Sequence, residues 1–275
     1  MPVLTAEALQ HFGVASEVAL LEGGSQATFR AGDIVLKHIS ERSLENDHSP
    51  QLGAWIAEFS ATLEQSGFRV PRGIPTSTGA WSTPDGWTAW TFVAGRHAAR
   101  SDLAVCIKGI NRMHRALAQV PKNALLDVSQ TPWARAHRWC LGVRPSHVNP
   151  VLASYIDRLY ELRRPIETSP YQLIHGDLNP ENILVSPSLP PAFIDFTPFW
   201  GPPELALAIY ANFMGPRQGD ETVLSHFECI PNFEQLLLRA SLRMLLVMSE
   251  FDMLDEWESS AEKRAVEMVL QYLDR

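Results

Sequence analysis

The chain has 275 residues, of which 45% are hydrophobic and 20% are charged, and its formal net charge is −8. This composition is ordinary for a globular protein and supplies enough apolar residues for a sizeable core. The acidic balance argues against nucleic acid as a partner and is compatible with a cationic small molecule. We find no membrane-spanning stretch and no signal-peptide pattern, so we do not expect a membrane partner.

Three widely spaced cysteines, Cys106, Cys140 and Cys229, are the full cysteine content of the chain. An odd number without close spacing predicts neither a disulfide framework nor a cysteine metal site. Cysteines of this kind are typical of a reducing compartment, and we therefore expect a cytoplasmic protein.

The part of the chain before Gly95 predicts a strand-rich unit. Short apolar runs separated by glycine-containing turns favour strands, and apolar residues three or four positions apart favour helices. On this basis we expect two helices, at Thr5–Phe12 and Leu52–Gln65. The expected strands are Val18–Leu21, Thr28–Arg30, Ile34–Ile39 and Trp87–Val93.

Beyond Gly95 the pattern becomes mostly helical. Ser101 is a candidate N-cap for a helix that follows it, and further helices are expected at Asn149–Arg163 and from Phe233 onward. Two short strands, Asn182–Val185 and Ala192–Phe196, flank a proline-rich turn. The sequence therefore predicts an α+β protein with a small β-rich lobe at residues 1–93 and a larger helical lobe at residues 94–275.

The strongest motif is the run HGDLNPEN at residues 175–182. Phosphoryl transfer needs a carboxylate that takes the proton of the attacking hydroxyl, and metal ligands close to it. Asp177 and Asn182 can supply both functions from one loop. Pro180 disfavours helix at the residue before it, which keeps the loop irregular.

A second carboxylate follows at Asp195, at the end of the apolar run FIDF. A hairpin between the two short strands would bring Asp195 beside Asn182, giving two metal ligands from neighbouring strand ends. Either Asp177 or Asp195 alone would more often cap a turn or end a strand, and their combination favours a site.

The pattern His-Gly-Asp-x-x-x-x-Asn, followed by Ile-Asp-Phe, resembles the signature of the aminoglycoside phosphotransferase and choline kinase family. This family is the small-molecule branch of the two-lobed protein-kinase-like fold. The resemblance implies ATP and Mg²⁺ as cofactors, Asp177 as catalytic base, and Asn182 and Asp195 as ligands of Mg²⁺. It also implies that His175 orders the loop.

The same resemblance predicts the parts that hold the nucleotide. A loop with Gly23, Gly24 and Ser25 stands between the first two strands, where backbone N–H groups would approach the phosphates. A plain hairpin turn is the alternative. Lys37 would bind the α- and β-phosphates, although a lysine in a strand can also serve only to protect a sheet edge.

Glu58, on the helix after Lys37, is the expected partner of that lysine, and Glu45 and Glu64 are the alternatives. The backbone of Thr91, Phe92 and Val93 would contact adenine, with an ordinary core strand as the rival interpretation. His114, upstream of the catalytic loop, is expected to be a packed structural histidine.

Three other functions fit the sequence less well. A protein kinase is disfavoured because only a short segment separates Asp195 from Glu204, which leaves no room for a peptide-docking loop. A catalytically inactive nucleotide-binding or scaffold protein would tend to have lost Lys37, Asp177 or Asp195. A metal-dependent hydrolase built on His175 would need further ligands at metal-binding spacing.

The expected acceptor is a hydroxyl of a small molecule, similar to an aminoglycoside, choline or a related amino alcohol or sugar. Acidic side chains in the C-terminal third could receive an amine of such a cationic acceptor, or they could form an ordinary solvated surface. These side chains are Asp220, Glu221, Glu250, Asp252 and Asp255. Family members commonly have an Asp shortly after Asp195; here Glu204 could take its place at the start of a helix.

Overall fold

The computed structural model of the chain describes residues 4–21, 28–38, 50–254 and 256–275. The chain divides into two compact units. The first comprises Met1–Arg96 and Leu184–Ile194, and the second comprises His97–Ile183 and Asp195–Arg275. The first unit is rich in strands and the second is mostly helical, which confirms the predicted α+β class.

The described elements of the first part of the chain alternate between short helices and antiparallel strands. They are α1 (Ala6–His11), β1 (Val18–Leu20), β2 (Thr28–Ala31), β3 (Ile34–His38), α2 (Pro50–Thr62), β4 (Gly73–Ile74), β5 (Trp87–Thr91) and β6 (Arg96–His97). Thr5 caps α1, because its hydroxyl accepts a hydrogen bond from Ala8 N.

The described elements that follow are mostly helices. They are α3 (Leu103–Leu117), α4 (Leu125–Val128), α5 (Pro132–Leu141), α6 (Pro150–Leu162), β7 (Gln172–His175), β8 (Ile183–Val185), β9 (Ala192–Phe193), β10 (Pro198–Gly201), α7 (Pro203–Met214), α8 (Phe233–Phe251) and α9 (Ala261–Leu273). In the described part of the chain, no helix is long and apolar enough to cross a membrane.

The sheet of the first unit has the strand order β1-β2-β3-β5-β4, and each pair of neighbouring strands is antiparallel. One face of β3 and β5 is buried, with Leu36, Trp87 and Ala89 packed against Ala8 and Phe12. Because side chains alternate along a strand, the residue after the buried Leu36 lies on the opposite face of the sheet. That residue is Lys37, the predicted phosphate-binding lysine, which lies opposite Thr28 of β2 and Thr88 of β5 in the strand register.

The second unit is built around α8. This helix packs against α5, α6, α7 and α9, and the apolar run from Leu236 to Met248 lies inside it, as predicted for a core helix. Arg239 and Arg243 are buried together with the leucines that surround them. Two charged residues inside a core helix need a physical reason, because arginine is rarely buried unless it is paired.

Several predicted boundaries were wrong. Helix α2 ends at Thr62 instead of Gln65, and β5 ends at Thr91 instead of Val93. The strand expected to end at Phe196 ends at Phe193, because Asp195 adopts a left-handed backbone conformation with φ of 51°, which extended structure does not allow. Ser101 does not cap α3. It lies inside a 3₁₀ turn, Arg100–Asp102, whose Asp102 carboxylate accepts a hydrogen bond from Ala99 N at 2.8 Å.

Gly73 shows how closely α2 packs against the sheet. A Cβ atom at this position would lie 2.6 Å from the Cα of Ala57 on α2 and would overlap the Ala57 carbonyl. We expect Gly73→Ala to lower the free energy of unfolding by about 1 to 3 kcal/mol, because backbone atoms must shift to admit the methyl group. Urea-induced unfolding, followed by tryptophan fluorescence, measures the change.

Gly79→Ala is the matched control. Gly79 has φ of +83° and open space around it, so only the backbone conformation opposes the new side chain and the loss should be about 1 kcal/mol. A Gly73→Ala protein as stable as the wild type would contradict the close contact between α2 and β4.

Candidate active site

The loop that carries the HGDLNPEN motif begins at the end of a short two-stranded ladder. Strand β7 pairs antiparallel with β10, and Pro198 lies opposite His175. Gly176 N then donates to the carbonyl of Thr197 at 2.8 Å, which extends the ladder by one further bond. The ladder therefore fixes the point at which the backbone leaves β7 and turns toward Asp177.

A turn stabilised by Asn179 forms the rest of the loop. Its Oδ1 accepts hydrogen bonds from the backbone N–H groups of Glu181 at 2.9 Å and Asn182 at 3.1 Å. Pro180 occupies the first position of the resulting 3₁₀ turn, where its missing N–H costs nothing. The turn places Asn182 back beside the start of the loop.

Asn182 and Asp177 meet directly. Asn182 Nδ2 donates to both the backbone oxygen and the carboxylate Oδ2 of Asp177, at 2.9 Å each. Asp177 N donates to His175 Nδ1 at 3.2 Å. The structure thus brings together three of the predicted site residues, and it holds one oxygen of the Asp177 carboxylate in a defined position.

His175 is fully buried, and His114 lies behind it. His114 Nε2 accepts a hydrogen bond from His175 N at 3.4 Å. Burial and the neighbouring His175 lower the pKa of His114 to about 3, so its imidazole is neutral near pH 7. His114 is therefore a packed structural histidine, as expected.

Gly176 is covered by the ring of Phe199. A Cβ atom at Gly176 would overlap that ring, so only glycine fits here. The Phe199 ring makes two further contacts. It stacks on the ring of His137, with the two centroids 4.3 Å apart, and the guanidinium carbon of Arg243 lies 5.0 Å from the Phe199 centroid. One aromatic ring therefore contacts the HGDLNPEN loop, α5 and α8.

Asp195 is exposed and holds its backbone in the left-handed region. Thr197 Oγ1 donates to the Asp195 carbonyl at 3.2 Å, which supports the turn. Asparagine and aspartate tolerate this conformation better than most residues, and such conformations often occur at functional sites. Both Asn182 and Asp195 belong to the second unit.

The donor set suits a hard cation. Asn182 Nδ2 donates a hydrogen bond to Asp177, so Asn182 Oδ1 is the oxygen that could face a metal. Asp195 could add a carboxylate. Mg²⁺ usually takes only one or two protein oxygens and completes its shell with water and phosphates. The described residues contain no cluster of three or more histidine, cysteine, aspartate or glutamate side chains that could hold a metal alone.

The predicted nucleotide-binding residues belong to the first unit. Lys37 is the fourth of the five residues of β3, the central strand of the sheet. Glu58 is exposed on α2 and forms no ion pair with Lys37, so the predicted pair is not seen among the described residues. The alternative Glu64 is exposed beyond the end of α2, whereas Glu45 and the loop with Gly23, Gly24 and Ser25 lie outside the described residues.

The predicted adenine-binding segment follows β5. Thr91 N donates to the Arg72 carbonyl at 2.9 Å, and Phe92 N donates to the Asp33 carbonyl at 2.7 Å. Val93 therefore differs from the other two predicted residues, because its N–H forms no hydrogen bond within the described ranges. The guanidinium of Arg30 lies 3.5 Å from the centroid of the Phe92 ring and covers that face.

The acidic side chains expected to receive an amine have partners within the protein. Asp220 pairs with Arg100, and Glu221 with Arg275. Glu250 accepts from Arg135 Nε at 2.8 Å, and Asp252 accepts from Asn149 Nδ2 at 2.7 Å. Asp255 lies outside the described residues. A cationic acceptor would have to compete with these contacts.

Glu204 begins α7, as predicted, and one of its oxygens accepts a hydrogen bond from Ser169. The contact therefore ties α7 to the segment before β7. No hydrogen bond in the described ranges joins Glu204 to Asp195.

Three residues of the site were missed by the sequence analysis: His137, Phe199 and Arg243. The only signal for Arg243 was a charged residue inside an otherwise apolar run. His137 and Phe199 are ordinary core residues by sequence, and nothing in their spacing indicated that they meet. Burial first, and then Arg243, lower the pKa of His137 to about 3.

Comparison with known proteins identifies the family of the chain. A family model described as the phosphotransferase enzyme family, APH, matches residues 17–229. A search of curated proteins finds no match.

Many solved structures share the fold. The complex of amicoumacin kinase hAmiN with AMP-PNP, Ca²⁺ and Ami has a TM-score of 0.63 at 14% identity, covering 97% of this chain and 91% of that one. The GDP complex of aminoglycoside 2'-phosphotransferase-IIIa scores 0.58 at 14% identity, covering 97% and 96%. A choline/ethanolamine kinase family protein from Mesorhizobium loti scores 0.54 at 14% identity, covering 95% and 88%. The predicted kinase-like fold is confirmed.

The contact between Gly176 and Phe199 can be tested by a double-mutant cycle. We expect Gly176→Ala to cost about 1 to 3 kcal/mol of unfolding free energy, because the new methyl group overlaps the ring. In a Phe199→Ala background the same change should cost at least about 1 kcal/mol less. Urea unfolding of the four proteins gives the coupling energy, and strictly additive losses would contradict the contact.

The buried, neutral His137 predicts a pH dependence of stability. Its pKa is about 3 in the folded protein and about 6.5 in the unfolded chain, so between these values only the unfolded chain binds the proton. The contribution of His137 to the free energy of unfolding is therefore fully present above about pH 6.5. It falls as the pH is lowered, by up to about 1.4 kcal/mol per pH unit. We expect His137→Gln to reduce that slope in urea unfolding between pH 7 and 4.5. Parallel curves for variant and wild type would contradict the assignment.

Proposed function

Because the chain belongs to the phosphotransferase enzyme family, we propose that it is an ATP- and Mg²⁺-dependent kinase of small molecules. It transfers the γ-phosphoryl group to a hydroxyl group of an acceptor of the general kind represented by aminoglycosides, choline and related amino alcohols or sugars. The observation that carries the proposal is the pair of 2.9 Å hydrogen bonds from Asn182 Nδ2 to Asp177. These bonds support the proposal because they hold the proposed base, Asp177, beside the proposed metal ligand, Asn182.

Asp177 is the proposed catalytic base. Asn182 holds its Oδ2, so the second carboxylate oxygen can accept the proton of the acceptor hydroxyl. As that proton moves to Asp177, the acceptor oxygen forms its bond to the γ-phosphorus, and the bond from the phosphorus to the leaving ADP oxygen breaks. Asn182 thus orients the base throughout and prevents its carboxylate from rotating away from the acceptor.

Asn182 Oδ1 and the Asp195 carboxylate are the proposed ligands of Mg²⁺. When bound, the metal neutralises charge that builds up on the phosphates during transfer. The left-handed backbone at Asp195 turns the chain out of β9 at the position where a ligand is needed. His175 is proposed to order the loop through its hydrogen bond from Asp177 N.

The nucleotide is proposed to bind through the lobe at residues 1–93, and the acceptor through the lobe at residues 94–275. Lys37 would contact the α- and β-phosphates, and Gly23, Gly24 and Ser25 would cover them. The N–H of Val93 is the best candidate donor to adenine, since those of Thr91 and Phe92 are engaged. Glu58 would form an ion pair with Lys37 only after one of the two side chains changes its conformation.

The test is Asp177→Asn. The variant keeps an oxygen for Asn182 Nδ2 but cannot accept a proton, so we expect Mg·ATP binding within a few-fold of wild type and turnover reduced by about 10² to 10⁴. Binding is measured by calorimetry, and turnover by ADP release with a panel of hydroxylated acceptors. Asp127→Asn, at an exposed residue paired with Lys122, is the control and should change neither quantity.

Two outcomes would contradict the assignments. Loss of Mg·ATP binding in Asp177→Asn would make Asp177 a structural residue. Wild-type protein that binds Mg·ATP but turns it over no faster than Asp177→Asn, with every acceptor tried, would support the alternative of an inactive nucleotide-binding protein. Asp195→Asn, in contrast, is expected to weaken Mg·ATP binding itself.

A further inference from the structure

Arg243 lies at the centre of the second unit, and only 3% of it is exposed. Its guanidinium carbon is 5.0 Å from the ring centroid of Phe199 and 5.4 Å from that of Trp133. Such contacts stabilise the planar cation through the electron-rich faces of the rings. They satisfy none of the hydrogen-bond donors that lie in the plane of the guanidinium.

Two of those donors have no partner. Within the described ranges, Arg243 Nε and Nη2 are buried without a hydrogen bond, and Arg243 forms no ion pair. Buried polar groups are almost always hydrogen-bonded, because leaving a desolvated donor unpaired is unfavourable. The partner of these donors is therefore either a buried water molecule or a ligand.

Arg239, one turn earlier on α8, provides the comparison. It is similarly buried, but its Nη1 donates to the Gln235 carbonyl at 2.8 Å and its Nη2 to the Arg164 carbonyl at 2.6 Å. The same helix therefore contains one arginine with satisfied donors and one without. Burial alone does not explain why Arg243 lacks partners.

The position of Arg243 relates it to the catalytic loop. The Phe199 ring that it contacts is the ring that covers Gly176, and Gly176 directly precedes Asp177. Burial lowers the pKa of Arg243, and the charge of Asp177 opposes that shift, so the two groups interact without forming an ion pair. Arg243 is thus near the base but is not neutralised by it.

The two unpartnered atoms also define the shape of the missing partner. Nε and Nη2 lie on one edge of the guanidinium, and their N–H bonds point the same way. This edge matches the two oxygens of a carboxylate or of a phosphate, which arginine binds with two parallel hydrogen bonds. A neutral hydroxyl or an amine offers no such pair of oxygens.

We propose that Arg243 binds an anionic group of the phosphoryl acceptor, so that the acceptor carries a carboxylate or a phosphate as well as its reactive hydroxyl. The inference rests on the proposed function and, within its acceptor class, favours amino alcohols and sugars that carry an anionic group over aminoglycosides and choline, which carry none. Holding the acceptor at a second point restricts its rotation and presents the hydroxyl to Asp177. The occupied acidic side chains of the same unit, Asp220, Glu221, Glu250 and Asp252, are consistent with an acceptor recognised through negative charge.

The first experiment tests binding without turnover. Inorganic phosphate and acetate, as probes of the two oxyanion types, are titrated into the full-length protein while the Arg243 Nε–H signal is followed by NMR. The signal is assigned by its loss in Arg243→Met. We expect at least one probe to shift the signal saturably, and Arg243→Met to weaken calorimetric binding of that probe at least 10-fold. An unchanged signal with both probes would overturn the proposal.

The second experiment compares matched acceptors: a hydroxy acid with its primary amide, and a sugar phosphate with the parent sugar. We expect wild-type kcat/KM to favour the anionic member of at least one pair by about 10- to 100-fold, as charge-assisted hydrogen bonds allow. Arg243→Met should lose the preference, mainly through KM, and Arg243→Lys should recover part of it. Which pair shows the effect distinguishes carboxylate from phosphate.

Stability separates a binding role from a structural one. Replacing an unpaired buried cation with methionine should leave the melting temperature unchanged or higher, whereas Arg239→Met breaks satisfied hydrogen bonds and should lower it. Equal losses in the two variants, or an anion preference that persists in Arg243→Met, would overturn the proposal. A wild-type preference for neutral or cationic acceptors would do the same while leaving the kinase function intact. Absence of both Mg·ATP binding and phosphorylation would refute the proposed function instead, and the anion titration would still decide the role of Arg243.

Discussion

The double hydrogen bond from Asn182 Nδ2 to Asp177 is the interaction on which the site depends. It closes a loop whose two ends are fixed separately, one by the β7–β10 ladder and the other by the turn at Asn179. A loop without helix or sheet bonds of its own would otherwise leave its carboxylate free to rotate. Because the amide nitrogen donates both bonds, the amide oxygen of Asn182 points away from Asp177. One side chain thereby serves both the proposed base and the proposed metal site.

The groups behind this loop are polar, buried and largely uncharged. Low pKa values keep His114 and His137 neutral near pH 7, so they support the loop by packing and by single hydrogen bonds. Charges placed there would interact strongly with Asp177, since the interior screens them poorly. Arg243 differs from these histidines because it is charged. Packing does not explain why its donors Nε and Nη2 have no hydrogen-bond partner in the described part of the chain.

Much of this arrangement could be predicted from the sequence, because it depends on local chemistry. The spacing of Asp177 and Asn182 across a proline-containing turn determines that they meet, and the apolar run of α8 predicts its burial. Thr5 likewise identifies the start of α1. The end of β9 was predicted wrongly because a single residue, Asp195, leaves the extended conformation, and apolar pattern carries no information about the sign of φ.

The contacts of Arg243 could not be predicted, because they join residues far apart in the chain. Phe199, His137 and Trp133 come from β10 and α5, and their meeting depends on how α8 packs, which no local pattern specifies. The net charge of −8 pointed instead toward a cationic acceptor. A net charge averages over a surface on which most acidic groups contact water or surface cations, and such contacts contribute little. A small ligand interacts with the few groups that it desolvates, and one buried guanidinium near the proposed base can therefore outweigh the acidic excess of the whole chain.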